Sequence, residues 1–190
     1  TLSVVYFPSC ASRAMGGPSR EETERRGLPE QTLSVLKKAG CSVILPANLD
    51  SLCCGQAFES KGFRLQADRK ADELSDALLL ASQDGVIPIL CDTSPCLMRM
   101  RNTLDKKLQL FEPVEFILQF LKDRLRFIRK EAKIALHPTC STRKMGLDAK
   151  LKELALLCAT EVVVPENIFC CGFAGDRGFN FPELNASAVH

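Results

Sequence analysis

An α/β fold of two tandem Rossmann-like βαβαβ units, related by internal duplication and with the second truncated, is what this sequence predicts. Three observations carry that prediction. Leu52-Cys53-Cys54-Gly55 recurs as Phe169-Cys170-Cys171-Gly172. Each copy follows an earlier Pro-x-Cys, Pro8-Ser9-Cys10 in the first case and Pro138-Thr139-Cys140 in the second. Around both, short β-branched runs alternate with stretches of helical period. The match extends outward, since Arg13, Met15 and Gly16 align with Arg143, Met145 and Gly146, and Lys61-Gly62-Phe63 matches Arg177-Gly178-Phe179 with a one-residue gap. A repeat of this kind constrains architecture before any local reading does.

Along the first copy, Ser3–Phe7 is a β-branched and aromatic run that stops at Pro8 and delivers Cys10. Pro29 opens a helix with Leu33 and Leu36 on one face, and Gly40 is its stop. Ser42–Leu45 is a second strand whose trailing loop carries Cys53 and Cys54. Ala67, Ala71, Leu74, Leu78 and Ala81 recur at helical spacing, and Val86–Leu90 is a third strand running into Cys91 and Cys96. A long amphipathic helix starts at Pro113 and continues through Leu121 and Leu125 to Ile128, with basic residues crowding its end as the helix dipole favours. The second copy repeats the order with strand Lys133–Leu136, Cys140, a helix on Leu147, Leu151, Leu154 and Cys158, strand Glu161–Val164 and then Cys170 and Cys171. The expected organisation is a first repeat over 1–110, a bridging helix over 111–130 and a second repeat over 131–190. The second is expected to be incomplete, because the chain ends at His190 before any counterpart of Cys91 and Cys96.

Composition narrows the function. The 190 residues are 46% hydrophobic and 25% charged, as in an ordinary folded domain. Twenty-five basic and 23 acidic residues leave a net charge of +2, so bulk electrostatics favour no nucleic acid partner. No apolar run approaches the roughly 18 residues that span a bilayer. The start at Thr1 reads as a strand from the interior of a longer polypeptide, not as a signal peptide. The expected location is the cytoplasm, with any contact to the inner membrane peripheral and through a partner.

The ten cysteines set the chemistry. Disulfide frameworks belong to small chains with poor cores, which this is not, so metal or redox use in a reducing setting is favoured. In open α/β sheets ligands lie beyond the carboxyl ends of the strands, which would bring Cys10, Cys53, Cys54, Cys91 and Cys96 together. Thiolates from three separated segments can hold zinc or an iron–sulfur cluster, and five exceed what one tetrahedral zinc takes. No nucleophile–base pair, paired carboxylates or phosphate-binding glycine loop stands out.

These motifs resemble the cysteine-rich CCG domain family, which includes the B subunit of heterodisulfide reductase and the iron–sulfur subunits of glycolate and glycerol-3-phosphate dehydrogenases. Longer strings, among them Tyr6-Phe7-Pro8-Ser9-Cys10, Cys91-Asp92-Thr93-Ser94-Pro95-Cys96 and Cys170-Cys171-Gly172-Phe173-Ala174-Gly175-Asp176-Arg177-Gly178-Phe179, are similar to the C-terminal region of FAD- and iron–sulfur-containing D-lactate dehydrogenases. The resemblance covers essentially the whole chain. It implies a [4Fe-4S] cluster, noncubane where a full five-cysteine set is present, on Cys10, Cys53, Cys54, Cys91 and Cys96. Cys91 departs from the family's closing C-x-x-C, because four residues separate it from Cys96 and Thr93 stands where the first of the pair would fall. In the second copy Cys140, Cys170 and Cys171 match, and zinc or vacant thiols are expected there, with His137 a candidate fourth ligand. FAD and ferredoxin-like clusters would reside in other domains of the full-length protein, and quinone or cytochrome would accept the electrons.

The remaining features carry plainer alternatives. Arg13 and Arg143 could offset cluster charge, bind an anionic substrate or brace their loops. Asp176 and Arg177 could form such a brace, His137 could be structural, and Met15 and Met145 are expected to pack. Cys41 and Cys158 are expected in the core. Gly55 and Gly172 are expected to allow close backbone approach or positive φ. Three functions follow: an electron-transfer module of a flavin-dependent 2-hydroxy acid dehydrogenase, a cluster-based disulfide reductase, or a redox-silent zinc module. The chain alone is not expected to act as a dehydrogenase.

Overall fold

The computed structural model describes residues 1–15, 17, 26–166, 170–173 and 175–188. The chain separates into two compact units, Thr1–Arg126 and Phe127–His190.

In the first unit, β1 (Leu2–Phe7) pairs in parallel with β2 (Cys41–Ile44) on one side and β3 (Ile89–Cys91) on the other. β4 (Leu110–Phe111) adds in parallel to β3, giving the order β2-β1-β3-β4. The registers Val5↔Ile89 and Phe7↔Cys91 bring the ends of β1 and β3 level. The order reverses between these two strands, and such a switch point opens a crevice beyond their carboxyl ends. β1 is central, and Val4, Val5, Tyr6 and Phe7 are all buried, as a parallel strand covered on both faces requires.

Helices follow the strands. α1 (Cys10–Met15) and α2 (Leu28–Lys38) lie between β1 and β2. A 3-10 turn at Leu49–Ser51, then α3 (Gln56–Ser60) and α4 (Arg64–Ala81), lead to β3. α5 (Ser94–Thr103) precedes β4, and α6 (Pro113–Phe116) follows it. One core cluster joins Val4 and Tyr6 of β1 to Leu36, Ala39, Leu90, Phe116 and Leu121. Val5 and Phe7 alternate to the other face of β1. Leu74, Leu78, Ile89, Leu97 and Met100 supply further fully buried groups from α4, β3 and α5.

Several expected elements shift. The third strand begins at Ile89, not Val86, because the chain leaves α4 through a left-handed turn at Gln83, Asp84 and Gly85. Val86 is 71% exposed in consequence. The long helix from Pro113 is shorter than its apolar spacing suggested. It widens into π-helical turns at Ile117–Leu121, and Ile128, expected on its apolar stripe, is exposed. Phe111, Phe116 and Phe120 stack together at this point, with ring centroids 4.9 to 6.1 Å apart, and tie the segment into the first unit's core.

The second unit has β5 (Lys130–Ala135) and β6 (Ala159–Val163) paired in parallel, with α7 (Cys140–Lys144) and α8 (Asp148–Cys158) between them. α9 (Arg177–Asn180) and α10 (Pro182–Ala188) follow the paired cysteines. Arg129 reaches from before β5 to donate to the Ala159 carbonyl at 3.0 Å. Cys158 is exposed, contrary to the expected core position, because it is the last residue of α8 and only Ala155 of that helix is fully buried. Met15 is likewise 75% exposed and does not pack.

The aromatic anchor yields a direct test. Phe116→Ala should lower the unfolding free energy by about 3–5 kcal/mol, because a fully buried ring is replaced by a void. Urea denaturation checks this, with Ile128→Ala, at an exposed position, expected to change it little.

Candidate metal centre

Cys10 is delivered by β1. Pro8 ends the strand, and Ser9 then caps α1, its Oγ accepting from the Ser12 amide at 3.0 Å. Cys10 is thereby the first helical residue. The second copy repeats the device: Thr139 caps α7, its Oγ1 accepts from the Thr142 amide at 3.2 Å, and Cys140 opens the helix.

The CCG glycines repeat as closely. Gly55 has φ +83° and Gly172 φ +79°, a left-handed conformation that L side chains rarely adopt. A Cβ on Gly55 would lie 2.3 Å from the Ala67 carbonyl oxygen, and one on Gly172 2.3 Å from that of Leu184. Each carbonyl lies twelve residues beyond its glycine. The duplication is therefore structural as well as textual: in both units the CCG backbone presses onto the main chain of a following helix.

In the first unit the structure brings the expected cysteines together. Cys10 lies within thiol hydrogen-bonding reach of Cys53, Cys53 of Cys54, and Cys54 of Cys96. Cys91 is close enough to Cys54 for charge interaction, but its Sγ donates to the Thr93 carbonyl at 3.8 Å. The set runs inward from the surface: Cys10 is exposed, Cys53 half-buried, and Cys54, Cys96 and Cys91 are 3%, 8% and 0% exposed. The Gly55 amide donates to Cys53 Sγ at 3.4 Å.

Crowding and burial raise four of these thiols, those of Cys10, Cys53, Cys54 and Cys91, above the ordinary thiol value. Burial pushes the Cys10 thiol up, with Cys53 beside it adding to the effect. Cys53 is raised first by its hydrogen bond to Cys54 and then by burial. Cys54 is lowered by Cys53, but Cys96 and burial outweigh that and push it up to about 12. Cys91 is raised by burial foremost and further by Asp92, Cys54 and Glu112. Metal binding would have to displace these protons.

Three polar clasps lock the cysteine loops, and sequence reasoning foresaw only one of them. Asp92 joins the loops after β1 and β3. Its Oδ2 accepts from Tyr6 Oη at 2.8 Å, and its Oδ1 from the Ser9 amide at 3.0 Å, Ser12 Oγ at 3.0 Å and Thr93 Oγ1 at 3.1 Å. Arg13 joins the first loop to the CCG loop, donating to the Leu52 carbonyl at 2.9 Å and pairing with Asp50 at 3.3 Å. Of the alternatives open for Arg13, the structure shows the brace. Arg99, 3% exposed, joins α5 to the CCG loop: Nε donates to the Cys54 carbonyl at 2.7 Å, and the guanidinium meets Glu59 at 2.6 Å and Asp68 at 3.5 Å. Two signals could have found the missed pair. Asp92 is a carboxylate directly after a buried strand, and Arg99 is a charge on the same helical face as Cys96 and Met100.

The second set is looser. Cys140, Cys170 and Cys171 are all exposed, as is His137. Phe169 of the motif lies outside the described residues, as do Gly16 and Ala174 of the matched strings. Among the described residues of either unit, no three Cys, His, Asp or Glu side chains are grouped for a single ion. All ten cysteines are free thiols. No described helix is long and apolar enough to cross a membrane.

Two measurements follow. Gly55→Ala should destabilise the fold by more than about 2 kcal/mol, since a clash with the Ala67 carbonyl adds to left-handed strain. Gly62→Ala, with φ +86° and open space around it, should cost only about 1 kcal/mol in the same thermal melts. The raised thiols also set a pH window. Their folded pKa values lie above the ordinary value of 9.0, so their contribution to stability is complete below pH 9 and is lost as pH rises towards about 12. Metal-free, fully reduced protein should therefore lose denaturant resistance through that range, and Cys54→Ser should lose less.

Comparison with known proteins agrees with the duplicated architecture. The family model for the cysteine-rich CCG domain matches twice, over residues 4–101 and 134–189. Lactate utilization protein A of Oceanobacillus iheyensis is 23% identical over 172 residues, covering 84% of this chain and 70% of that protein. Lactate utilization protein A 1 of Bacillus mycoides is 23% identical over 173 residues, with the same coverage. The two matches of the domain model span more than half of the chain and fall one within each structural unit, so the chain belongs to the cysteine-rich CCG domain family.

Proposed function

We propose that the chain is an iron–sulfur electron-transfer module serving a flavin-dependent oxidation of a 2-hydroxy acid of the D-lactate type. The convergence of Cys10, Cys53, Cys54, Cys91 and Cys96 at one end of the first sheet carries this reading. The relatives' name, lactate utilization protein A, supports the substrate class. We place hydride abstraction on FAD in another domain of the full-length protein, next to ferredoxin-like clusters, with quinone or cytochrome as acceptor.

The donor set fits the group. Thiolates are the protein's ligands to iron–sulfur clusters, and such a cluster, when bound, supplies one-electron transfer. Each iron takes its own thiolate, so sulfurs strung from the surface inward suit it better than a single tetrahedral ion, which draws four donors onto one point. This weighs against a redox-silent zinc module in the first unit. Here Cys54 and Cys96 would hold the buried side, and Cys10 and Cys53 the side nearer solvent. Arg13 and Arg99 fix the CCG loop and bring positive charge towards a thiolate-rich site. For the second unit we retain zinc or vacant thiols on Cys140, Cys170 and Cys171.

A disulfide reductase remains the second reading, favoured by the exposure of Cys10, which would leave one edge of the site open to an external thiol.

The test is iron, sulfide and zinc content with electron paramagnetic resonance on protein prepared and reconstituted without oxygen. We expect about four iron per chain, and a paramagnetic signal lost in Cys53→Ser but kept in Cys170→Ser. Stoichiometric zinc with no bound iron would overturn the proposal.

A further inference from the structure

We infer that the first centre is closed by four thiols, those of Cys10, Cys53, Cys54 and Cys96, and that Cys91 is a structural thiol of β3 held out of the ligand set. This rests on the proposed iron–sulfur reading and narrows it, because it assigns the site an ordinary four-cysteine cluster and not a five-cysteine one.

The four thiols follow one another at the end of the sheet, the side chain of each interacting with that of the next. Cys91 stands outside this set. Its Sγ donates to the Thr93 carbonyl, 3.8 Å away, although Cys54 is close enough for charge interaction. The residue is the last of β3, paired in register with Phe7, and fully buried, so its backbone cannot bring the thiol forward without breaking the strand.

A fifth ligand from this loop would then have to come from position 93, three residues before Cys96. The hydroxyl found there is already committed. Thr93 Oγ1 lies 2.7 Å from Ser9 Oγ, 3.1 Å from Ser12 Oγ and 3.1 Å from Asp92 Oδ1. The Asp92 network thus occupies the place of the missing cysteine and ties it to the Cys10 loop. The third loop has one sulfur left to offer, on the first turn of α5.

Iron and sulfide content and electron paramagnetic resonance of Cys91→Ser and Cys91→Ala, reconstituted without oxygen, test the inference. Both variants are made in a background with Cys140, Cys170 and Cys171 changed to Ser, so that only the first site can load. We expect each to keep about four iron per chain and the parent's signal, whereas Cys96→Ser loses both. Loss of iron or an altered signal in a folded Cys91 variant, folding being checked by circular dichroism, overturns the inference and leaves the proposed function standing. A parent that binds no iron overturns both. Should the Cys91 variants fail to fold, sulfur K-edge absorption of the loaded parent decides, since it distinguishes iron-bound thiolate from free thiol. Four bound thiolates per cluster support the inference, and five overturn it.

Discussion

The carboxylate of Asp92 is the constraint on which the first unit's arrangement turns. It accepts from a phenol, a backbone amide and two hydroxyls, and those donors belong to β1, the loop and helix after it, and the loop after β3. Hydrogen bonds to a carboxylate are among the stronger ones in proteins, and four of them meet on this half-buried side chain. Two loops that meet at a sheet's switch point are thereby tied to each other. Tyr6 shows the same coupling from beneath: it is a core residue of β1, yet its hydroxyl reaches the functional end of the sheet.

The arginines complete the frame. Arg99 is buried with two partly exposed carboxylates, so the charge is compensated while the partners keep some contact with water. That arrangement avoids most of the desolvation cost of burying a whole ion pair. Arg13 is similar but weaker, because Asp50 is fully exposed and an ion pair with such a partner contributes little. Its firmer hold is on the Leu52 carbonyl. The framework is thus set by the protein chain itself.

Much of this was legible beforehand, and the exceptions have physical causes. β1, β2 and α4 announced themselves by β-branching and by an unbroken helical stripe, and the duplicated cysteines located both units. α1 and α7 went unforeseen because each is a single short turn-and-a-half set by a hydroxyl cap and not by apolar period. α5 was hidden by Pro95, which suggests a break but sits in the first helical turn, where the missing amide costs nothing. The π-helical turns after α6 arise where three phenylalanines meet across chain segments, which periodicity along one segment cannot register. Asp92 and Arg99 are not legible as clasps because the partners they draw from other segments lie 80 to 86 residues away for Asp92 and at least 31 for Arg99.

Both arginine clasps end on main-chain carbonyls, those of Leu52 and Cys54. A carbonyl is offered by every residue type, so these two hydrogen bonds read the path of the loop, while the ion pairs to Asp50, Glu59 and Asp68 read side chains. The approach to the paired cysteines can therefore drift in sequence while the sulfurs stay where they are. Selection acting on this centre would leave its mark on the gripping arginines, the glycine that follows the pair and the thiols themselves.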